Sequence, residues 1–265
     1  MASSVHALRS AIRRGEYTGL TTGCAPGHVQ ANLVVLPERH IHDFVDFCKL
    51  NPFACPLLGV SEVGNPRIPL LGAGLDIRTD LPGYLVHRAG LTPEELADIT
   101  AVWRDDLVAV AIGCWFSMED ALLQAGIRLR HVELGIQGPL FKTQVQTRGA
   151  GVFGGPLVVS MRPFAKESVA TVEQITRRFS SVHGGPIHVG DAAALGIVDM
   201  ATPDFGEVLL PLPGEIPMYW GCGLTATVAL QRSGIDFFIT HAPGKMLVAD
   251  CFNASLQTAP ESTFA

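Results

Sequence analysis

Charge is scarce in this chain. Only 17% of its 265 residues are Asp, Glu, Lys or Arg, with 19 basic against 25 acidic side chains and a formal net charge of −6. Disordered segments show the opposite balance, high charge with few large apolar residues. Surfaces that bind nucleic acid or anionic membranes need clustered Lys and Arg. All three readings are therefore excluded. Long hydrophobic runs are also missing. The longest, Leu107 to Phe116, covers ten residues, against about 20 for a membrane-spanning helix, so it reads as a buried strand. The six cysteines (Cys24, Cys48, Cys55, Cys114, Cys222, Cys251) include no Cys-x-x-Cys pair, and no His-x-x-x-His occurs. Without paired ligand spacing, neither a disulfide scaffold nor a structural metal site is expected. No Walker loop, kinase signature or Gly-x-Ser-x-Gly elbow is present, so those nucleotide and hydrolase readings find no support.

What is present is apolar and rich in turns: 48% hydrophobic residues with 28 Gly and 18 Pro. That is enough for a sizeable core in one large domain or two modest ones. The first residues, MASSVHALRSAIRRGEY, read as a short amphipathic helix capped by Ser4 with Val5, Leu8 and Ile12 on one face. With no secretory signal visible, a cytosolic protein is expected. Helical periodicity recurs around Glu38–Lys49, Ser117–Gln124, Val169–Phe179 and Thr225–Gln231. Strand-like runs lie at Asn32–Leu36, Leu107–Ile112, Leu157–Ser160, Glu207–Leu210, Met218–Trp220, Phe237–Thr240 and Met246–Ala249. Such alternation predicts an α/β fold with a mixed or partly parallel sheet. The stretch after Asn253 is expected to be irregular.

A repeat sharpens this picture. VAVAIGCWFSMEDALLQAGI (Val108–Ile127) and IPMYWGCGLTATVALQRSGI (Ile216–Ile235) share Gly-Cys, then Ala-Leu, then Gly-Ile at matching spacing. Each reads as strand, Gly-Cys corner, helix and glycine stop. Ser117 and Asp120 form a capping box, and Gly126 and Gly234 sit where a C-cap glycine belongs. The repeat predicts two equivalent units in one sheet, with Cys114 and Cys222 on the same edge. Between them, strands at Leu129–Leu134, Leu140–Thr147 and Leu157–Met161 followed by the Val169–Phe179 helix suggest a smaller two-layer lobe. The predicted division is a larger lobe from residues 1–127 and 184–265 and a smaller inserted lobe from 128–183.

Candidate chemistry clusters beside glycines and prolines. Asp76-Ile77-Arg78-Thr79-Asp80 is the densest charged segment. Arg78 could clamp a substrate carboxylate with Asp76 beside it, or the segment could be a local ion network pinning a loop. His183-Gly-Gly-Pro-Ile-His188-Val-Gly-Asp191 places two histidines and an acid around a turn, with Asp191 also a natural N-cap. His241 ends a strand, where an imidazole is well placed as acid or base, though it could equally be a satisfied structural residue. Cys222 precedes Gly223 and a helix N-terminus near Thr225, a setting that lowers a thiol pKa and supplies amide donors to an anion. It is a candidate nucleophile, or a small buried filler.

At these residues the chain resembles a known family. TTGCAPGHVQANLVVLP, DFVDFCKLNPFACPLL, DIRTDLPGY, DDLVAVAIGCWFSMEDAL, GPLVVSMRP, RRFSSVHGGPIHVGD and FFITHAPGKMLVAD occur in order over about residues 5–250. They resemble motifs of the DUF1445 family of hydro-lyases, which includes D-glutamate cyclase. The resemblance implies a two-lobed α/β fold without a redox cofactor, and elimination of water, as in closure of D-glutamate to 5-oxo-D-proline. Departures from the family's pattern fall at Trp115, Pro139-Leu140-Phe141, Thr143-Gln144 and Thr225-Ala226-Thr227. Most lie at the Gly-Cys corners or in the small lobe, where substrate contact is expected.

The expected activity is therefore a metal-independent, cofactor-free hydro-lyase acting on a small amino- or oxo-carboxylate. Its catalytic candidates are His241, His188, Cys222 and Asp191. Its substrate-binding candidates are Arg78, Asp76, Cys114, Trp115, Thr143, Gly223 and Thr225. The site is predicted where the Cys222 corner, the His241 strand end and the Asp76–Asp80 segment meet. Two other readings stay open: a cyclase or dehydratase of specialised metabolism with a bulkier substrate, and a non-catalytic small-carboxylate-binding protein. Neither nucleic acid nor membrane is an expected partner, and a homodimer is possible.

Overall fold

A computed structural model describes residues 4–257. Its elements run α1 (Val5–Arg13), β1 (His28–Pro37), α2 (Ile41–Leu50), β2 (Leu57–Val60), β3 (Tyr84–Arg88), β4 (Glu94–Leu96), β5 (Leu107–Gly113), α3 (Glu119–Gln124) and α4 (Arg130–Leu134). They continue through β6 (Leu140–Gln146), β7 (Pro156–Ala165), α5 (Val169–Arg177), β8 (His188–Val189), β9 (Glu215–Gly221), α6 (Leu224–Arg232), β10 (Phe237–His241) and β11 (Leu247–Phe252). Two sheets result. The larger has the order β2-β5-β1-β10-β3-β4 with β11 also on β1, and the smaller the order β6-β7-β9-β8. The fold is mixed α/β with two lobes, as the sequence predicts.

Strand β1 shows why apolar residues run unbroken from Leu33 to Leu36. Val29, Ala31, Leu33 and Val35 face one core with Ile77, Leu81 and Ile239. Val34 and Leu36 face another with Phe44, Phe47, Ala226 and Ala229 from α2 and α6. With both faces covered, polar residues are absent from Leu33 to Leu36, whereas the buried Gln30 and Asn32 interrupt the first half of the strand. A third core packs Phe164 and Trp220 of the smaller sheet against Trp115 and Met118, beyond the end of β5, and Met246, just before β11. At the N-terminus Ser4 caps α1 by accepting from the Ala7 N–H, and Val5, Leu8 and Ile12 are buried.

Five expectations are corrected. Every named strand pair is antiparallel. The helices after β5 and β9 hand the chain to the other sheet rather than back to the same one, so no parallel crossover forms. For the same reason the two Gly-Cys units do not share a sheet: β5 belongs to the larger and β9 to the smaller. The smaller sheet also takes β8 and β9 from beyond residue 183, so the predicted boundary there cuts through it. Leu129–Leu134 forms helix α4 rather than a strand, stopped by Gly135 at φ 65°, and Glu207–Leu210 is irregular.

Smaller signals divide similarly. Gly126 and Gly234 have the left-handed φ values, 75° and 74°, that a helix stop requires. Ser117 is not a cap: its hydroxyl accepts from Gln30 N–H and donates to Gln30 C=O, pinning the corner to β1. Asp120 accepts instead from the Gly27 N–H. Gly149-Ala-Gly-Val-Phe-Gly154 has dinucleotide-fingerprint spacing, but it forms the β6–β7 turn, bridged by Ala150 and Phe153, with no helix after it. Asn253–Leu256 makes one 3₁₀ turn; the rest of the expected irregular tail, 258–265, lies outside the described residues. Among the described residues no helix is long and apolar enough to cross a membrane.

Candidate active site

The two Gly-Cys corners, though in different sheets, converge on one cavity of about 200 Å³ between the lobes. Cys114, Trp115 and Phe116 reach it from the end of β5, and Cys222, Gly223 and Leu224 from the end of β9. Asn32 of β1, His241 of β10, Ser160 and Arg162 of β7, and His183 complete much of the wall. Most of the lining is apolar. Among the described lining residues there is no Asp, Glu or Lys.

Arg162 is the central feature. It is 2% exposed, and a fully buried cation is stable only if its charge and donors are answered. Two carbonyls answer part of it: Nη1 donates to Met161 O and Nη2 to Gln137 O, each at 2.7 Å. The guanidinium also lies 5.0 Å over the Trp115 ring. Nε has no partner, and among the described residues no carboxylate pairs with the group. Burial draws its pKa down, yet an arginine keeps its proton in proteins. The surrounding turn is built around this side chain. Glu207 accepts from the Gln137 and Gly138 N–H groups at 3.0 and 3.3 Å, which fixes the Gln137 carbonyl. A Cβ on Gly138, at φ 83°, would lie 2.9 Å from Arg162 Nη1.

The acid behind Trp115 does not balance this charge. Glu119 Oε1 is 2.7 Å from His131 Nε2, both buried, and the His131 ring stands edge-on to Trp115. Burial raises the Glu119 carboxyl to about 8 and, with Arg162, holds His131 well below its ordinary range. Near neutral pH the pair is therefore uncharged, with the Glu119 hydroxyl donating to His131. Glu207 acts on Arg162 only through space, from the far side of the Gln137–Gly138 turn, so the buried cation has no carboxylate in direct contact and the described lining it faces holds no Asp or Glu.

Other polar atoms in the wall are also unpartnered: Trp115 Nε1 and Ser160 Oγ. The thiols are not activated. Burial pushes Cys222 and Cys114 up, against the expectation that the helix N-terminus lowers Cys222. Three of the amides after Cys222 are engaged as well, with Leu224 N–H on the sulfur, Thr225 N–H on Cys222 O and Ala226 N–H on Gly223 O. His183 donates Nδ1–H to Phe53 O at 2.9 Å, and burial lowers it to about 4, so it is neutral.

Of the residues singled out from the sequence, Cys114, Trp115, Cys222, Gly223 and His241 line this cavity. The other six stand elsewhere. Arg78 is held by a two-point bond to Asp76, with Nε–Oδ1 3.0 Å and Nη2–Oδ2 2.7 Å. Asp80 is paired with Arg9 and Arg13 of α1, so the 76–80 segment is the loop-pinning ion network. Thr143 bonds Leu157 O across β6 and β7, and the Thr225 hydroxyl ties α6 to Val158 of β7. Asp191 caps the turn at Ala192–Leu195 through Ala193 N–H. His188 bonds Asp191 O at 2.7 Å, beside Tyr219 on the edge of the small sheet. Asn32, Ser160, Arg162 and His183 were not singled out for this cavity. The available signal was a cation and a hydroxyl inside the apolar run Leu157–Phe164, because a charged residue in a two-faced buried strand is rare without a purpose.

Comparison with known proteins shows the family. The family model described as D-glutamate cyclase matches residues 108–250. A protein of Burkholderia multivorans is 50% identical over 94% of this chain and 96% of its own length. One of Bordetella pertussis is 48% identical over 97% and 92%, and one of Azorhizobium caulinodans 49% identical over 95% and 92%. All three carry the name "putative hydro-lyase". Among solved structures, a nitrogen repressor-like protein from Methanococcus jannaschii is similar over 89% of this chain and 92% of its own, at 10% identity and a TM-score of 0.37. The protein is an enzyme, a lyase. The chain belongs to the D-glutamate cyclase family.

Proposed function

We propose that this lyase removes water from, or adds it to, a small amino-carboxylate in a lactam-forming reaction like that of D-glutamate cyclase, with Arg162 holding the carboxylate that does not react. The observation that carries this reading is the buried guanidinium with an unpartnered Nε and no carboxylate in direct contact with it, Glu207 and Glu119 acting on it only through space. A substrate carboxylate supplies the missing charge and accepts the unused donor. The cavity, about 200 Å³, is below the roughly 300–1,000 Å³ of drug-sized sites, which suits an amino-dicarboxylate or its lactam.

In ring closure the neutral amine nitrogen attacks the carboxyl carbon. A C–N bond forms, one C–O bond breaks, and that oxygen leaves as water with protons that include one from the amine. The step needs donors to the developing oxyanion and a group that gains and loses a proton. Trp115 Nε1–H and Ser160 Oγ–H are the unpartnered donors of the wall, and they take the oxyanion role expected of the amides after Cys222. The proton balance is assigned to His241, because His188 and Asp191 stand outside the cavity. Metal independence is supported by the ligand chemistry: among the described residues no group of three or more His, Cys, Asp or Glu is gathered for a metal. Six free thiols suit a reducing compartment such as the cytoplasm.

The test is incubation of the enzyme with D- and L-amino-dicarboxylates and their lactams, read by mass spectrometry for gain or loss of one water. Turnover of any member, unchanged after exhaustive chelation, is the expected result. No turnover of any member, with no binding, would leave the carboxylate reading without support. Activity lost on chelation and restored by zinc would contradict metal independence.

A further inference from the structure

The hydrogen bonds around His241 ask for more protons than a neutral ring carries. Nδ1 is 2.8 Å from Ala242 O, and Nε2 is 3.1 Å from Asn32 Oδ1. The orientation of the Asn32 amide is set independently, because Nδ2 donates to Gly113 O at 2.8 Å. Turning the amide over would set its oxygen against that carbonyl. Gly223 packs so closely that a Cβ there would overlap Asn32 Nδ2. Oδ1 therefore faces the ring as an acceptor. A neutral imidazole has one N–H and one lone pair, so it satisfies one of these acceptors and opposes the other; an imidazolium satisfies both.

The protein surroundings oppose that charge. His241 is 8% exposed, and burial lowers its pKa. The other titratable groups around it are accounted for. Arg162 is charged across the cavity, whereas Cys114, Cys222 and His183 are neutral. Tyr84, opposite it in the sheet, is buried and neutral. Lys245, beyond the turn, is paired with Glu95 at 2.7 Å. An incoming anion is the missing contribution that would let the ring take the charge its contacts favour.

We infer that His241 becomes an imidazolium when a dicarboxylate fills the cavity, so that binding takes up a proton, and that Asn32 is the positioning residue that makes the charged ring the satisfied one. The inference rests on the carboxylate reading above and narrows it. The ligand class is a dianion, one carboxylate answering Arg162 and the other the charge on His241.

Glutarate tests this without an amine of its own, since both its carboxyls are ionised near pH 7. Calorimetric titration of the full chain in phosphate and in Tris reads proton uptake from the difference in apparent enthalpy. The expected result is uptake of about one proton per glutarate, with affinity weakening about tenfold per pH unit above neutrality. His241→Gln and Asn32→Leu lose the uptake. Glu119→Gln keeps it, which separates His241 from the other proton-bearing group nearby. Should Asn32→Leu not fold, Asn32→Asp carries the same test: its carboxylate holds the ring charged beforehand, and uptake falls to near zero. Binding without proton uptake, or uptake that survives in His241→Gln, overturns the inference and leaves the carboxylate reading intact. Failure of glutarate and glutamate to bind at all contradicts that reading, and the inference falls with it.

Discussion

Two groups of charge in this molecule look alike in importance and differ in kind. Asp76, Arg78 and Asp80 form a dense cluster in which each charge has a partner: Arg78 on Asp76, and Arg9 and Arg13 on Asp80. Arg162 stands alone in an apolar strand with a donor to spare. The cluster joins α1 to a loop, while the lone cation faces a cavity. A fully answered charge holds structure together; a buried charge with an unanswered donor marks where something else binds.

Removing a member of each group should separate these roles. The largest effect is expected from Asp80→Ala, which leaves Arg9, itself 2% exposed, with a weaker set of partners. Breaking a buried pair costs about 3–5 kcal/mol, so denaturant unfolding should show a loss of that order while turnover per folded molecule is kept. Arg162→Met should do the reverse. A loss of roughly 10²–10³-fold in kcat/KM is expected from removing a buried charge-assisted contact, with Tm unchanged or raised because an unbalanced cation has been removed. If Arg162→Met instead unfolds the protein and Asp80→Ala abolishes turnover, the comparison is inverted.

A smaller effect distinguishes Glu119. Its carboxyl is raised to about 8 in the fold, so the folded state binds more protons than the unfolded chain above the ordinary carboxyl range. Stability from this group is present at low pH and is lost as pH rises towards and through 8. Below about pH 6.5 the depressed His131 opposes this trend, so the decline should be clearest between about 6.5 and 8. Unfolding measured across that window should show a fall in the wild type that Glu119→Gln flattens. An equal fall in both would remove Glu119 as its source. The smallest effect is expected from Arg78→Lys: near-normal melting, and kinetics within about twofold of wild type, since a partly exposed pair is worth about 0–1 kcal/mol. A large kinetic loss there would return the loop to the site.

The sequence disclosed what depends on neighbouring residues. Ser4 capping, the glycine stops at Gly126 and Gly234, and the strands around Asn32–Leu36 and Phe237–Thr240 were legible because each follows from local chemistry. Strand-end reasoning also brought Cys114, Cys222 and His241 to notice, and these do share a wall. Sheet membership was not legible: strand–helix alternation looks the same whether a helix returns to its own sheet or crosses to another. Arg130-His-Val-Glu-Leu134 alternates like a strand, and only the left-handed Gly135 after it marks a helix end. The site's central cation was hidden for a related reason. Arg162 sits in a run that reads as core, and Asn32 in another, whereas in the conspicuous Asp76–Asp80 segment Arg78 and Asp76 answer each other and Asp80 finds partners at Arg9 and Arg13, more than sixty positions away along the chain.

Titration of glutarate into wild type and Arg162→Lys under identical conditions tests the central claim most directly, because lysine keeps the charge and loses the planar fork. The account predicts one-to-one binding by the wild type and a loss of about 10–100-fold in the variant, with melting temperatures within a few degrees (about the resolution of a kcal/mol-scale change). Equal affinity in the two proteins would contradict it and remove Arg162 as the carboxylate anchor.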